Sequence, residues 1–167
     1  MRSNSNSNSS MDKNNRERIK IKKECIGMNI GYSLLDIDIS NNNENIIYST
    51  WSNSIYLYSI LNEKQYSLKL KDLNEPFGVF SIQFNNLNEN EILTGTSKGI
   101  IYLFDINKNK SIFEIKGHDI DINSIKYLNE NVFLSSSDDA TIKVWDKRLN
   151  SSIGYFLGHT SGIYLIF

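Results

Sequence analysis

The chain has 167 residues, which is enough for one domain with a sizeable apolar core. Its formal net charge of -1 lacks the basic excess expected of a nucleic-acid binder, and no apolar run is long enough to span a membrane. The single cysteine excludes an internal disulfide or a cysteine-rich zinc site, and this favours a reducing compartment, the nucleus or the cytoplasm.

Short apolar runs fill the chain after its first segment. Residues 1–18 alternate Ser and Asn and then become charged, so they cannot bury enough apolar surface to offset their ordering entropy, and we predict disorder there. Residues 19–167 show runs of period two between polar turns, which is typical of strands. The predicted strands are 19–26, 34–39, 45–49, 54–60, 66–70, 79–84, 91–96, 100–105, 111–115, 122–127, 132–136, 141–145, 153–157 and 163–167.

The predicted strands repeat along the chain. Similar four-residue runs occur at 36–39, 81–84 and 124–127, at intervals of about 40 to 45 residues, and Gly-His pairs at 117–118 and 158–159 are spaced similarly. Four strands per interval are typical of a propeller blade, whereas a β-sandwich gives no reason for such a period. We therefore predict an all-β fold, a partial β-propeller of about three four-stranded blades plus the first strand of another.

The stretch 117–146 resembles a complete WD repeat. In that family a His, a Ser or Thr, an Asp and a Trp form a buried hydrogen-bonded network. The resemblance places these roles on His118, Ser135, Asp139 and Trp145. The chemistry is self-consistent, because an indole donates, a carboxylate accepts, and a hydroxyl and an imidazole do both. Removal of Trp145 is expected to cost about 3–5 kcal/mol of stability.

The same residue types also occur in hydrolase triads and metal sites. Ser135 is predicted inside a strand rather than on an exposed nucleophile elbow, and no Gly-x-Ser-x-Gly motif surrounds it. No second histidine has a spacing that suits metal binding by His118 with Asp138 or Asp139. We predict a binding protein with no catalytic residue, metal or cofactor, in which His118, Ser135 and Asp139 are buried.

The other blades depart from the WD pattern. Phe104-Asp105 and Tyr58-Ser59 stand where the stretch 117–146 has Trp145-Asp146. Aromatic packing is expected to preserve the strand geometry there without the polar network.

Residues 133–148 resemble the sixteen-residue box of substrate receptors in cullin-4 ubiquitin ligases. The shared features are two apolar residues, three small ones, an acidic pair, alternating apolar positions and a final Trp-Asp-x-Arg. The resemblance implies that Arg148 contacts the damage-specific DNA-binding protein (DDB) adaptor and that Asp146 orients it. Alternatively, Arg148 only pairs with Asp146 across an exposed turn, an interaction worth at most about 1 kcal/mol. The order of strands predicts that Arg148 lies at the opposite end of the blade from His118 and Asp139.

A wider resemblance extends over residues 19–167, to the DDB-and-cullin-4-associated factor 11 family, also called WD repeat-containing protein 23. It is carried by 31–36, 48–52, 80–84, 101–106, 143–148 and 157–163. The resemblance implies a receptor that presents protein substrates for ubiquitin transfer, while other subunits perform the transfer. The competing interpretation is a general WD-repeat scaffold in another assembly, such as RNA processing.

The number of blades is small for this family. About three blades and one strand do not close the usual ring of about seven. We therefore expect a truncated gene model, a natural fragment or one part of a split protein.

Overall fold

The computed structural model describes residues 33–70, 76–149 and 151–166, which form strands and turns without a helix. Within these ranges no helix is available to cross a membrane. The predicted disorder of residues 1–18 and the predicted strand 19–26 lie outside the described residues. The strands are β1 Leu34–Ile39, β2 Asn45–Thr50, β3 Ser54–Ser59, β4 Lys64–Lys69, β5 Val79–Asn85, β6 Asn88–Thr96, β7 Ile100–Asp105, β8 Lys110–Lys116, β9 Ile122–Tyr127, β10 Val132–Ser137, β11 Ile142–Asp146 and β12 Ser152–Phe156.

Consecutive strands form three antiparallel sheets of four strands each. Blade 1 is β1 to β4, blade 2 is β5 to β8, and blade 3 is β9 to β12. The first strand of each blade lies against the first strand of the next, so that β1 contacts β5 and β5 contacts β9. This arrangement of radially stacked blades confirms the predicted all-β propeller fold.

Two apolar layers hold neighbouring blades together. The layer between blades 1 and 2 contains Ile47, Phe77 and Phe84, each at most 1% exposed. The layer between blades 2 and 3 contains Phe133 and Trp145, whose rings stack with centroids 6.2 Å apart. Both layers arise because alternate side chains of a strand face the adjacent sheet.

The aromatic residues that replace the Trp differ in their burial. Phe104 is fully buried in the layer between blades 1 and 2, as the sequence predicts. Tyr58 is half-buried.

The first strands of the blades, β1, β5 and β9, are called inner strands here, and their side chains bind the main chain of the next inner strand. Each inner strand has a sheet neighbour on one side only, so the N–H groups on its other side need other acceptors. Polar side chains one blade earlier supply them. The bonds are Ile82 N to Asp36 Oδ2 (2.8 Å), Phe84 N to Asp38 Oδ2 (2.8 Å), Ile125 N to Ser81 Oγ (3.1 Å), Tyr127 N to Gln83 Oε1 (2.7 Å) and Ile166 N to Ser124 Oγ (3.3 Å).

The last predicted strand, 163–167, is not formed over its described residues, 163–166. Residues 162–166 have no strand assignment, because the described chain offers them no neighbouring strand for a hydrogen-bond ladder. Ile166 nevertheless occupies the position of an inner strand, since its N–H binds Ser124 as the N–H of Ile125 binds Ser81. The segment therefore lies where the first strand of a fourth blade would lie, without strand pairing.

Candidate functional site: the two ends of blade 3

The four side chains of the predicted network extend from one end of blade 3 into its interior. His118 precedes β9, Ser135 lies on β10, Trp145 lies on β11, and Asp139 lies in the turn between β10 and β11. Trp145 Nε1 donates to Ser135 Oγ at 2.8 Å, and Ser135 Oγ lies 2.7 Å from His118 Nε2. His118 Nδ1 lies 2.8 Å from Asp139 Oδ2. The structure thus brings all four residues into one continuous chain of hydrogen bonds.

The chemistry of the two ends of this chain assigns the protons between them. The indole N–H can only donate and a carboxylate can only accept. The Ser135 hydroxyl therefore accepts from Trp145 and donates to His118 Nε2, and His118 carries its proton on Nδ1. Burial lowers the pKa of His118, although Asp139 acts in the opposite direction. The imidazole is neutral in this arrangement, so the chain contains one full charge, on Asp139.

Asp139 is held in the tight turn by Thr141, a residue that sequence reasoning missed. Burial alone would raise the pKa of Asp139, but hydrogen bonds from Thr141 and His118 outweigh it and lower the pKa. Thr141 donates to Asp139 Oδ1 through its hydroxyl at 2.5 Å and through its N–H at 3.0 Å. The spacing Asp-x-Thr is a sequence signal for such a turn, in which an Asp side chain binds the main chain two residues later.

The main chain of His118 is fixed by the hairpin of blade 2. Gly99 O accepts from both Gly117 N (2.8 Å) and His118 N (3.0 Å). Gly99 has a φ of +67°, and an added Cβ would lie 2.2 Å from His118 O. Only glycine fits this left-handed position so close to another main chain.

Burial argues against a catalytic role for Ser135 and His118, whereas Asp139, which was predicted to be buried, is only partly buried. Ser135 is 0% exposed and His118 is 1% exposed, so a substrate carbonyl cannot reach Ser135 Oγ. Asp138, the other acid considered for metal binding, accepts from Asn123 Nδ2 at 2.6 Å instead of joining His118. In this geometry the Ser135 and His118 side chains are engaged by one another and by Trp145 and Asp139.

The opposite end of blade 3 contains Asp146 and Arg148 in a β-turn, which closes by a bond from Leu149 N to Asp146 O of 2.8 Å. Arg148 Nε donates to Asp146 Oδ1 at 2.8 Å and Arg148 Nη2 donates to Asp146 Oδ2 at 2.5 Å. Arg148 lowers the pKa of Asp146 to about 2. Lys147 N binds Asn131 O at 2.8 Å, in the turn between β9 and β10, so Arg148 lies at the other end from His118.

The local ion pair considered as an alternative is therefore present. The Arg148 side chain nevertheless remains 67% exposed, whereas Asp146 is 10% exposed. The Asp146 carboxylate accepts hydrogen bonds from Arg148 Nε and Nη2, so Arg148 Nη1 is not bound to that carboxylate. The guanidinium group is both held and accessible.

The repeated blades and the His-Ser-Trp network define a WD-repeat β-propeller, a class of binding scaffolds. The chain belongs to the family described as "Nucleolar protein 10-like, N-terminal domain", whose model matches residues 25–159. The family itself was not predicted from the sequence.

The predicted resemblance to factor 11 is confirmed. The chain is 34% identical over 103 residues to the "DDB1- and CUL4-associated factor 11 homolog" of Caenorhabditis elegans. The match covers 57% of this chain and 18% of that protein, so the chain spans less than a fifth of the length of this curated relative.

Solved structures show the same fold. "Structure of U3-55K" superposes with a TM-score of 0.70 and 16% identity, over 78% of this chain and 41% of that chain. "Crystal structure of RRP9 WD40 repeats" gives 0.70 and 15%, over 78% and 40%. "Crystal Structure of Mitotic Checkpoint Complex" gives 0.66 and 20%, over 75% and 38%. At these identities the similarity shows the propeller architecture alone.

Proposed function

We propose that this WD-repeat scaffold acts as a substrate receptor of a cullin-4 ubiquitin ligase and that Arg148 contacts the DDB adaptor. The observation that carries the proposal is the Asp146–Arg148 turn, where an exposed guanidinium is fixed by two hydrogen bonds. Protein substrates would bind elsewhere on the propeller, and the ligase would act in the nucleus or the cytoplasm.

The geometry of the pair favours recognition by a partner. A free arginine side chain loses rotamer entropy when it binds, and Asp146 has already restricted Arg148. Exposed ion pairs contribute little to folding, so holding Arg148 in this way is of small value to stability. The guanidinium still has donors for a carbonyl or carboxylate oxygen of the adaptor, and such charge-assisted bonds are strong and directional.

Similarity supports the identity of the partner. The relative from Caenorhabditis elegans is named for association with DDB1 and CUL4, and it is 34% identical over 103 residues. The box at residues 133–148, with its terminal Trp145, Asp146 and Arg148, is the local feature that links this chain to that association.

A scaffold in another assembly, such as RNA processing, is the second candidate. The family match to nucleolar protein 10-like domains favours it, and this match extends over residues 25–159. In that case the same exposed turn would bind a different protein. Ribonuclease-sensitive co-fractionation of the full chain with RNA-containing particles, without adaptor binding, is the result expected of this second function.

The test is the affinity of the purified adaptor for the full chain and for two variants. Arg148→Ala is expected to weaken binding by about 30-fold or more, the size of an interface hot spot. Lys116→Ala is the matched control, because Lys116 is an exposed cation that binds the carbonyl of Lys98 at the opposite end of the blades. Circular dichroism checks that each variant folds. Absence of adaptor binding by the unmodified chain would refute the ligase function.

A further inference from the structure

The turn that presents Arg148 is tied to the neighbouring blade by an ion pair. Lys147 Nζ donates to Glu91 Oε2 at 2.6 Å, from blade 3 to β6 of blade 2. The two side chains are only 15% and 12% exposed. This pair is therefore far better shielded from water than the exposed Asp146–Arg148 pair beside it, and its attraction is less screened.

Glu91 is in turn held in place. Asn85 Nδ2 donates to Glu91 Oε2 at 3.0 Å, and the Asn85 residue is 1% exposed. The same Asn85 Nδ2 lies 3.2 Å from Glu130 O, in the turn between β9 and β10. Lys147 N binds the adjacent Asn131 O. Blade 2 thus contacts both turns at the Arg148 end of blade 3.

The other described blades show that the propeller fold does not need this ion pair. The main-chain bond from Lys147 N to Asn131 O recurs as Ile106 N to Asn90 O in blade 2 and as Ile60 N to Glu44 O in blade 1. These bonds place Ile106 and Ile60 at the position of Lys147. Of the three described blades, only blade 3 has a cation there, and it is the blade with an arginine at the next position.

We infer that Glu91 is a positioning residue, which fixes the direction of Arg148 by holding Lys147 toward blade 2. Lys147 and Arg148 are the two central residues of one β-turn, so an anchor on the first constrains the main chain of the second. The inference rests on the proposed function and extends it, because it makes adaptor binding depend on a second blade outside the sixteen-residue box.

Loss of Glu91 would also create a competitor for Asp146. The positive charge of Lys147 already acts on Asp146 and adds to the lowering of its pKa by Arg148. Without its carboxylate partner, the ammonium group would be free to turn toward Asp146, on which its charge already acts. Lys147 would then share Asp146 with Arg148, and the guanidinium would lose the two-point hold that restricts it.

A double-mutant cycle on the full chain tests this role. Adaptor affinity is measured for the unmodified chain, Glu91→Gln, Arg148→Ala and the double variant. Glu91→Gln preserves shape and an oxygen for Asn85 but removes the charge that holds Lys147. We expect it to weaken binding about 3- to 10-fold, and to have no further effect in the Arg148→Ala background.

Glu89→Gln is the matched control. Glu89 is also on β6 and also crosses to a neighbouring blade, but it accepts from Asn42 N (2.9 Å) of blade 1, away from Arg148. The adaptor affinity of Glu89→Gln should equal that of the unmodified chain. Equal losses from Glu91→Gln with and without Arg148 would show a merely structural role and overturn the inference. An unchanged adaptor affinity of Glu91→Gln would also overturn the inference. Weaker binding by Arg148→Ala would in that case still support the proposed function. No binding by the unmodified chain would overturn both.

Discussion

Ser135→Ala provides the sharpest test of the buried network. Ser135 Oγ is the middle of the chain, because it accepts from Trp145 Nε1 at 2.8 Å and donates to His118 Nε2 at 2.7 Å. The substitution removes one oxygen and leaves two polar groups without their partner. Both groups are enclosed, since the exposed fractions of Trp145 and His118 are 4% and 1%.

The expected loss of stability follows from these two groups. A buried donor or acceptor left unsatisfied costs about 1–3 kcal/mol, so two of them cost about 2–6 kcal/mol. The cavity left by one hydroxyl oxygen adds little, because it is smaller than a methyl group. With a urea dependence of about 2 kcal/mol/M, the unfolding midpoint should fall by at least about 1 M.

Ser136→Ala is the matched control. Ser136 is the next residue on β10 and is also 0% exposed, but its hydroxyl has no hydrogen-bond partner among the described residues. Removing this hydroxyl removes the cost of burying a polar group without a hydrogen bond. The unfolding free energy should therefore stay the same or rise by up to about 1 kcal/mol. The two variants make the same chemical change at the same depth, and they differ only in the network.

Urea unfolding followed by tryptophan fluorescence and by circular dichroism measures both variants. Trp145 reports directly on the network, and coincidence of the two signals shows a cooperative transition. Equal midpoints for Ser135→Ala and Ser136→Ala would refute the reasoning, because the network would then contribute nothing beyond the burial of a hydroxyl.

Three further predictions concern the same protein. Gly99→Ala should cost about 2 kcal/mol or more and lower the melting temperature, since it combines a φ of +67° with a main-chain clash. Because burial lowers the pKa of His118 below 6.5, the histidine is protonated at a higher pH in the unfolded chain than in the folded one. The urea midpoint should therefore decrease as the pH is lowered from 7.5 to 5.5. Asp38→Ala should cost about 1–3 kcal/mol in urea unfolding because Phe84 N loses its acceptor, whereas Asp38→Asn should retain most stability.

The sequence predicted the features that depend on neighbours along the chain. Alternating apolar residues located the strands of all three blades, and β1, β7 and β9 begin and end at the predicted residues. The resemblance of residues 117–146 to a WD repeat likewise named the residues of the buried network, which all belong to one blade and its flanking turns. Local sequence patterns are sufficient to predict these features because they depend on contacts within a single blade.

The polar contacts between blades were not predicted. The bonds between inner strands join residues 42 to 46 positions apart, and Lys147 and Glu91 are 56 positions apart. Period-two polar pairs such as Asp36 and Asp38 offered a signal, but in isolation they read as a solvent-facing side of a strand. Their role became visible only when the adjacent inner strand supplied N–H groups that needed acceptors.

Blade 3 separates the residues that stabilise the fold from those of the proposed recognition. Trp145 and Asp146 are successive residues of β11, so their side chains point to opposite sides of the sheet. Trp145 joins a buried chain of hydrogen bonds that contributes to folding, while Asp146 holds an exposed cation that contributes little to it. An Arg148 variant should therefore fold normally and lose its partner. A Ser135 variant should lose stability first and bind only in proportion to the fraction that remains folded.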